Sequence, residues 1–435
     1  MKTKKQMRNL LIGVDEKGHP RSVLEWWAKE AFFTSQEDAK KWSLKVSMTE
    51  GFADQQRHDQ VSLYNMILFD QDAKKHYVYF MRNSAVHLQT RHDVFDIRYE
   101  QSYMKGSYPT YEMRFHDPDH AIEIEFTAVA ESFPYWVAQD ITHGWLPMGI
   151  GFYRYGFIPK TRVSGIMNIQ EKRFTIQGNG YFEHVWGSFD YEHPLSTVTG
   201  FFKTIWAYKK LLFWWLQNHR LKIPQSLTLS TENNPLGYDW VWALCDNGWS
   251  LFYGNALFWV MDGPAAGVLI LTKDGKTYTE FSDITFHYKK TIHEKEHDFH
   301  YPSELELLAK KGKETLHLIC SMTSESRVYI RSSQAHSFWK GLAICEAPGV
   351  IKGVYNDGNQ TIPLSGVCKI EPQRELSILG HNTLQIDTLL PPQGVGITIQ
   401  LDSHFFRKKI ILDIRFALHP RLQLRMQRIY PSKIY

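Results

Sequence analysis

Cysteine is scarce in this 435-residue sequence, and long apolar runs are missing from it. The four cysteines are widely separated and form no CxxC pair, so neither a zinc ribbon nor a redox motif is predicted, and no disulfide framework is expected in so long a chain. No run of about 18 apolar residues occurs, which excludes an ordinary transmembrane helix. The run Leu10–Val14 is too short for the apolar part of a secretory signal. We therefore expect a cytoplasmic protein.

The sequence also lacks a large excess of charge of one sign, and it lacks the common nucleotide-binding motifs. Lysine and arginine number 50 against 46 aspartates and glutamates, and the resulting net charge of +4 is too small to indicate nucleic acid as the main partner. The sequence contains no Walker-type loop, no GxGxxG segment that opens a helix, and no GxSxG element of the serine hydrolases. It therefore predicts no nucleotide, no organic cofactor and no serine hydrolysis.

Aromatic residues, in contrast, are abundant, with 26 Phe, 22 Tyr and 14 Trp. Such side chains favour half-buried pleated surfaces. Several short segments alternate polar and apolar residues, which is the period-2 pattern of a half-buried strand. Strands at short spacing without intervening helices predict antiparallel barrels or sandwiches, and thus an all-β protein. The clearest segments are Val61–Phe69, His76–Met81, Ala121–Val129, Val163–Ile169 and Phe174–Gly178.

One segment, residues 201–217, departs from the strand pattern. Read as a helix, FFKTIWAYKKLLFWWLQ has a narrow polar stripe of Lys203, Lys210 and Gln217 and is apolar almost everywhere else. Two interpretations stay open. Either the helix braces the two β domains from a buried position, or it lies at a membrane–water boundary, for which its tryptophans are suited. The second interpretation would make the protein a peripheral membrane protein through residues 201–217.

The segment between residues 149 and 187 contains the most informative motif. It ends in Gly178-Asn-Gly-Tyr-Phe-Glu-His-Val-Trp-Gly187. This resembles the hydroxyneurosporene synthase (carotenoid 1,2-hydratase) and AttH-like family, whose members carry Gly-x-Gly-aromatic-x-Asp-His-x-Trp-Gly at the end of a first lipocalin-like domain. Shorter landmarks in the same order extend the resemblance over roughly residues 20–420: Leu24-Glu25-Trp26-Trp27, Asp239-Trp240-Val241-Trp242, Tyr301-Pro302 and Phe338-Trp339-Lys340-Gly341.

The resemblance implies two tandem lipocalin-like antiparallel β-barrels of the calycin type, with a short helical insertion between them. The expected limits are 20–195 for the N-terminal barrel, 196–236 for a linker with the aromatic helix, and 237–425 for the C-terminal barrel. It also implies a hydrophobic small molecule, an isoprenoid or another lipid, held in a barrel. The implied reaction is a cofactor-independent, acid-catalysed hydration, or a related cyclisation or isomerisation.

Within the motif, strand alternation places Phe182, His184 and Trp186 on one face and Glu183 on the other. His184 is the candidate proton donor to an alkene, because imidazole titrates near neutral pH. Phe182 and Trp186 are candidate substrate-binding residues, since aromatic π faces stabilise a developing carbocation. The alternative is that Glu-His-x-Trp-Gly is a structural latch at a domain junction.

A second candidate cluster lies at the start of the expected C-terminal barrel. Tyr238, Trp240 and Trp242 share one face of a predicted strand and are candidate substrate-binding residues, whereas Asp239 lies on the other face. In an apolar pocket the pKa of Asp239 would be raised, and the carboxyl group would act as a general acid. The alternative is a turn aspartate that leads into an aromatic core strand.

Tyr153 and Tyr155 form a third candidate wall for the substrate, with Arg154 between them. Because alternate residues of a strand share a face, the two tyrosines would point to the same side. That side is either the ligand pocket or the outer surface of the sheet, and both interpretations stay open.

The stretch His293-Glu294-Lys295-Glu296-His297 matches the His-Glu-x-x-His zinc pattern. Zinc binding by this pattern needs a packed helix that places both histidines on one face. The surrounding KKTIHEKEHDFHYP is almost entirely polar and reaches Pro302 within five residues. We therefore predict a solvated hairpin end and no zinc site, while adventitious metal binding by His293, His297 and His300 stays open.

These patterns favour an enzyme of the hydro-lyase kind, or a related cyclase or isomerase, with His184 and Asp239 as catalytic residues. The alternative is a non-catalytic lipid-binding or isoprenoid-binding carrier built from the same barrels. Three departures from the family pattern, at Ala28, Glu183 and Lys340, favour the carrier.

Overall fold

A computed structural model gives the fold of the chain. The structure describes residues 15–19, 22–54, 59–84, 87–148, 151–189, 201–218, 226–229, 236–258, 267–281, 283–297, 299–332, 341–375, 383–389, 395–403, 408–416 and 422–429. The chain divides into two compact units. The first comprises Met1–Trp214 with Gly248–Leu251 and Leu271–Thr279, and the second comprises Trp215–Asn247, Phe252–Ile270 and Glu280–Tyr435.

Nearly all of the described secondary structure is β-strand. The first thirteen strands are β1 Leu24–Ser35, β2 Lys41–Asp54, β3 Asp59–Asp70, β4 Lys75–Ser84, β5 Leu88–Thr90, β6 Phe95–Tyr99, β7 Ser102–Ser107, β8 Thr110–Asp117, β9 Ile122–Ala130, β10 Tyr135–Trp136, β11 Trp145–Met148, β12 Gly151–Ile169 and β13 Lys172–Ser188. The remaining strands are β14 Ser226–Leu229, β15 Leu236–Cys245, β16 Ser250–Phe258, β17 Gly267–Thr272, β18 Thr279–Phe281, β19 Asp283–Glu294, β20 Phe299–Lys311, β21 Glu314–Met322, β22 Arg327–Ser332, β23 Gly341–Asn356, β24 Thr361–Glu375, β25 Thr383–Leu389, β26 Val395–Ser403, β27 Lys408–Phe416 and β28 Leu422–Ile429.

The described strands form three antiparallel sheets. The first sheet has the order β4-β3-β2-β1-β13-β12-β9-β8-β7-β6-β5, with β10 and β11 paired to β12. The second sheet has the order β18-β17-β16-β15-β24-β23-β21-β20-β19, with β22 paired to β23. A smaller sheet has the order β14-β25-β26-β27-β28.

The two large sheets share one connectivity. In the first sheet the opening strand β1 pairs with the closing strand β13, and in the second sheet β15 pairs with β24 in the same way. Each sheet therefore curls until its first and last strands are neighbours, as in a half-barrel. The predicted fold class, all-β with two tandem lipocalin-like sheets, is confirmed.

Strand alternation determines which side chains enter the core of the first sheet. In β8, for example, Tyr111, Met113 and Phe115 are buried, and the residues between them are more exposed. Because paired residues of neighbouring strands share a face, the register of β1 on β13 places Trp27 beside His184. Trp27 and Phe182 both belong to the core cluster of this sheet. The motif strand β13 thus presents His184 to the inner face.

Two helices interrupt the strands in the described part of the chain. The helix α1, Gln139–Thr142, is a single turn. The helix α2, Phe201–Asn218, coincides with the segment predicted to be helical. Neither described helix has the length and apolar character that crossing a bilayer requires.

Candidate functional site

His184 and Glu25 form a buried hydrogen-bonded pair on the inner face of the first sheet. Nε2 of His184 lies 2.8 Å from Oε1 of Glu25. Glu25 belongs to β1 and His184 to β13, so the pair exists because the first and last strands of the sheet are neighbours. The aromatic motif that contains Glu25 therefore contributes a functional group to the motif that contains His184.

A second histidine extends this pair toward the surface. Nδ1 of His19 lies 2.8 Å from the same Glu25 oxygen, and its Nε2 lies 3.0 Å from Oδ2 of Asp15. The backbone N–H of His19 also donates to Oε2 of Glu25, at 2.9 Å. Carboxylates only accept hydrogen bonds, so both ring nitrogens of His19 carry a proton in this arrangement. His19 is thus an imidazolium held between two carboxylates.

The exposed fraction of the side chain decreases along these four residues. The side chains of Asp15 and His19 are 25% and 21% exposed. Those of Glu25 and His184 are 3% and 0% exposed. Asp15, His19, Glu25 and His184 therefore form a continuous hydrogen-bonded series from the surface to the inner face, and we call it the His–Glu relay.

Charge in the His–Glu relay is stabilised by its own members. Burial alone would lower the pKa of His19, but the hydrogen bonds with Asp15 and Glu25 outweigh burial and raise it. Burial alone would raise the pKa of Glu25, but the hydrogen bonds with His184 and His19 lower it. Both shifts favour the charged forms of His19 and Glu25.

Aromatic rings surround the buried end of the relay. The His184 ring stacks on Trp27 at 4.9 Å and on Trp186 at 4.8 Å between ring centroids. His19 stacks on Trp186 at 4.0 Å with an interplanar angle of 6°. Trp186 in turn contacts Trp136 and Trp145 edge to face, at 5.3 and 6.4 Å. These π faces are suited to a cation on or near the imidazole.

Lys29 lies on the same inner face as His184, beside Phe182 in the register of β1 on β13. It is fully buried, and Nζ donates to Oγ1 of Thr161 at 2.5 Å. Burial lowers the pKa of Lys29 to about 7. A Cβ at Gly180 would lie 2.8 Å from this Nζ, so the second glycine of the motif leaves room for the lysine.

Glu16 brings a further carboxyl group to the inner face. Oε1 accepts hydrogen bonds from the hydroxyl of Tyr111 and, at 3.1 Å, from the N–H of Tyr108. Burial raises the pKa of Glu16. Tyr111 stacks on Phe182 at 5.4 Å, and the indole N–H of Trp27 donates to the backbone carbonyl of Glu16 at 2.8 Å, so Glu16 lies beside the motif strand.

The relay also has the donor set of a divalent metal site. One ligand atom each from His19, Glu25 and His184 lie within 4.8 Å of one another. Two imidazoles and one carboxylate suit Zn²⁺, and the bond from Asp15 to the far nitrogen of His19 is typical of the outer shell of such sites. The sequence did not single out this set, because His19 lies far from His184 along the chain, and the absence of a metal site stays a prediction.

Phe182, His184 and Trp186 lie on one face of the sheet, as predicted. Tyr153 and Tyr155 do not share that face. Both tyrosines lie on the opposite face of the sheet. The hydroxyl of Tyr155 donates to Oε2 of Glu183 at 2.5 Å and lies 3.1 Å from that of Tyr181. Tyr153 packs against Phe189 at 5.1 Å. A substrate-binding role for Tyr153 and Tyr155 stays a prediction, on the face of the sheet opposite His184.

Glu183 also faces away from His184, as strand alternation predicted. Its Oε1 accepts a hydrogen bond from the indole N–H of Trp26 at 2.9 Å, and its Oε2 accepts one from Tyr181 at 2.9 Å. The glutamate thus connects β1 and β13 on the outer side of the same strand pair. Glu183 therefore braces the two strands on their outer side.

Asp239 lies in a polar network rather than in the apolar pocket that a general acid would need. Oδ1 accepts a hydrogen bond from Nη2 of Arg374 at 2.8 Å. Oδ2 accepts one from the hydroxyl of Tyr288 at 2.5 Å, and the N–H of Asp239 donates to Asn255 at 2.7 Å. Burial alone would lower the pKa of Arg374, but Asp239 and Tyr288 raise it. Asp239 is therefore the anionic half of a buried ion pair.

The aromatic residues around Asp239 lie on the opposite face of β15. Trp240 and Trp242 are buried, and Tyr238 donates from its hydroxyl to Oε1 of Glu371 at 2.5 Å. A ligand-binding role for these three residues stays a prediction. Of the landmarks quoted from the sequence, Phe338-Trp339-Lys340 lies outside the described residues.

The zinc-like stretch is a hairpin end, as predicted. Strand β19 ends at Glu294 and β20 begins at Phe299, and the two strands pair antiparallel. His293 stacks on its cross-strand partner His300 at 4.3 Å, and Nδ1 of His297 lies 3.0 Å from Oε2 of Glu294. His293 and His297 therefore do not lie on one face of a helix.

Solved structures share this fold. An AttH-like protein from Nitrosomonas europaea matches with a TM-score of 0.54 and 15% identity, over 82% of this chain and 95% of that chain. Kievitone hydratase from Nectria haematococca matches with a TM-score of 0.53 and 11% identity, over 82% of this chain and 91% of that chain. No family model and no curated protein matches the sequence.

At these identities the structural similarity establishes the fold alone. Any reaction must be inferred from the residues of the site. The tandem architecture that the motif at residues 178–187 implied is the one found. Sequence analysis found His184 through this motif. It missed His19, Asp15, Glu16 and Lys29, and it quoted Glu25 only as part of a landmark.

Proposed function

We propose that the first unit catalyses addition of water to a carbon–carbon double bond of a hydrophobic, isoprenoid-like substrate, with His184 as the proton donor. The observation that carries this proposal is the His–Glu relay, which connects a partly exposed carboxylate to a fully buried imidazole. The same fold in a kievitone hydratase agrees with this reaction class. A related cyclisation would result if a second double bond of the substrate, rather than water, reacted with the carbocation formed by protonation.

The reaction proceeds through a carbocation. The imidazolium of His184 gives a proton to the less substituted carbon, and the two π electrons form the new C–H bond. The other carbon becomes cationic, and the π faces of Trp27 and Trp186 stabilise it. The oxygen of a water molecule then bonds to that carbon and loses a proton to His184. One water is added, and no electrons are gained or lost.

The other members of the relay supply orientation and protons. Glu25 accepts from His184, which fixes the imidazole ring and stabilises its charged form. His19 and Asp15 connect Glu25 to the surface, so the relay can exchange protons with solvent between turnovers. Asp239 has no role in this proposed reaction, because its carboxylate is ion-paired with Arg374.

The test is mass spectrometry of the organic extract after incubation of the purified protein with acyclic carotenoids and with host lipids. We expect a product heavier by one water with the wild type and its loss in His184→Ala and Glu25→Gln. The matched control is His317→Ala, because His317 and Glu306 form a pair with the same 2.8 Å distance on an exposed surface. Product formed equally by His184→Ala and the control would refute the assignment.

A carrier without chemistry is the second candidate function. One observation favours it: His184 is completely buried, and the inner face around it is occupied by core side chains. In that case a lipid would co-purify unchanged with the wild type and with His184→Ala, and no hydrated product would form in either sample.

A further inference from the structure

The helix α2 carries a large exposed apolar surface. Among the side chains of α2 that the structure describes, only Thr204 and Ala207 are fully buried. Leu211 and Trp214 are half-buried, and they lie close to the same helical face because they follow at spacings of three or four residues. Apart from Lys203, the remaining described side chains are exposed, and the most exposed of the apolar ones are Phe202 at 87%, Phe213 at 57%, Ile205 at 49% and Phe201 at 47%.

The buried face of α2 is attached to the first unit through an aromatic contact. Nζ of Lys203 lies 3.2 Å from the ring centroid of Trp145 and 4.7 Å from that of Phe152. This cation–π contact fixes the rotation of the helix, so the outward direction of the opposite face is determined. The exposed phenylalanines are thus a stable surface of the unit.

The charge on the outward side is of one sign. Lys209 and Lys210 are exposed, and α2 contains no aspartate or glutamate. Lys209 follows Ile205 by one helical turn and precedes Phe213 by one, so it lies within the apolar surface. We call the surface of Phe202, Ile205, Lys209, Lys210 and Phe213 the aromatic–lysine face.

We propose that the aromatic–lysine face binds the surface of an anionic phospholipid bilayer. The exposed rings would enter the boundary between headgroups and acyl chains, and the two lysines would contact phosphate. This inference is independent of the proposed reaction, because it concerns the outer surface of α2 and not the His–Glu relay.

Lys209 distinguishes a bilayer from a protein partner. A lysine in the middle of an apolar protein interface is buried, and it needs an acidic partner there. In a second copy of this chain, α2 itself offers no acidic residue to it. At a bilayer the flexible lysine stem covers apolar surface while the ammonium group reaches the headgroups. The mixture of phenylalanine and lysine on one face therefore favours lipid.

The test is co-sedimentation of the full chain with phosphatidylcholine vesicles and with vesicles that also contain phosphatidylglycerol. We expect binding to the anionic vesicles, weakened by high salt. The variant Phe202→Ser/Phe213→Ser should bind at least about tenfold more weakly, because both rings lose their apolar contacts. Lys209→Gln/Lys210→Gln should lose the preference for phosphatidylglycerol.

The control variant is Phe80→Ser, which removes another exposed phenylalanine, 49% exposed, from β4 and should bind like the wild type. Circular dichroism confirms that the variants fold, as expected for substitutions of exposed side chains. Failure of the wild type to sediment with anionic vesicles would overturn the proposal. So would a wild-type dimer, seen by analytical ultracentrifugation, that the double phenylalanine variant converts to a monomer, since a second copy would then cover the face.

Discussion

Glu25 and Asp239 are buried carboxylates at equivalent places in the two large sheets. Each lies on the opening strand of its sheet and bonds at 2.8 Å to a buried basic side chain on the closing strand, His184 in one case and Arg374 in the other. The repeated connectivity therefore repeats a carboxylate–base pair. Imidazole exchanges protons near neutral pH, whereas guanidinium does not. The first pair is suited to proton transfer and the second to holding strands together.

Asp239→Asn tests this division of roles. Loss of the carboxylate leaves the buried guanidinium of Arg374 without its counter-charge, and we expect the free energy of unfolding to fall by about 3–5 kcal/mol. The rate of hydration, measured at a temperature where the variant is folded, should equal that of the wild type. A large loss of turnover in a folded Asp239→Asn protein would return Asp239 to the catalytic residues.

Glu25→Gln should affect both turnover and stability. An amide cannot stabilise the His184 imidazolium, so we expect hydration to fall about 100-fold or more, within the usual contribution of general acid catalysis. The free energy of unfolding, from urea titration, should fall clearly. The same change at the half-buried Glu306 should alter it far less, because its partner His317 is exposed and solvent screens that pair. Equal effects of the two substitutions would contradict the burial argument.

The His–Glu relay should stabilise the protein within a limited pH window. The raised pKa of His19 adds stability that is complete below its ordinary value of 6.5 and is lost as pH rises through the raised value. The lowered pKa of Glu25 adds stability that is complete above its ordinary value of 4.5 and is lost as pH falls through the lowered value. The difference in unfolding free energy between the wild type and His19→Gln should therefore be greatest between about pH 4.5 and 6.5. A difference that did not vary with pH would show that His19 is uncharged in the folded state.

Lys29→Met should stabilise the protein at neutral pH and below. The pKa of Lys29 falls from 10.5 to about 7 on folding, so the unfolded chain binds more protons between these values and wild-type stability rises with pH across that range. Below about pH 7 the cost is about 5 kcal/mol by linkage, and methionine removes it. Chemical denaturation at several pH values measures the effect, with the exposed Lys172→Met as control. A destabilised Lys29→Met at pH 6 would mean that the lysine interacts with a charged group.

Sequence patterns were sufficient to predict the strands and to predict which side chains of β13 lie on each of its faces. Alternation alone placed Phe182, His184 and Trp186 together and Glu183 opposite, and the register of β13 agrees. Alternation does not say which strands become neighbours, so the bond between His184 and Glu25, 159 residues apart, could not be derived from it. Asp15 and His19 lie outside any strand, and nothing local in their sequence indicates a buried glutamate as partner.

The pairing of an opening strand with a closing strand has a consequence for synthesis of the chain on the ribosome. Glu25 and Lys29 leave the ribosome long before β13 is translated, and until then neither can reach its place on the inner face. A nascent chain that stops before residue 184 contains Asp15, His19 and Glu25, three of the four relay groups, without the buried imidazole that donates to Glu25. The complete relay therefore appears only when the first and last strands of the sheet pair, so closure of the sheet and assembly of the proposed site are one event.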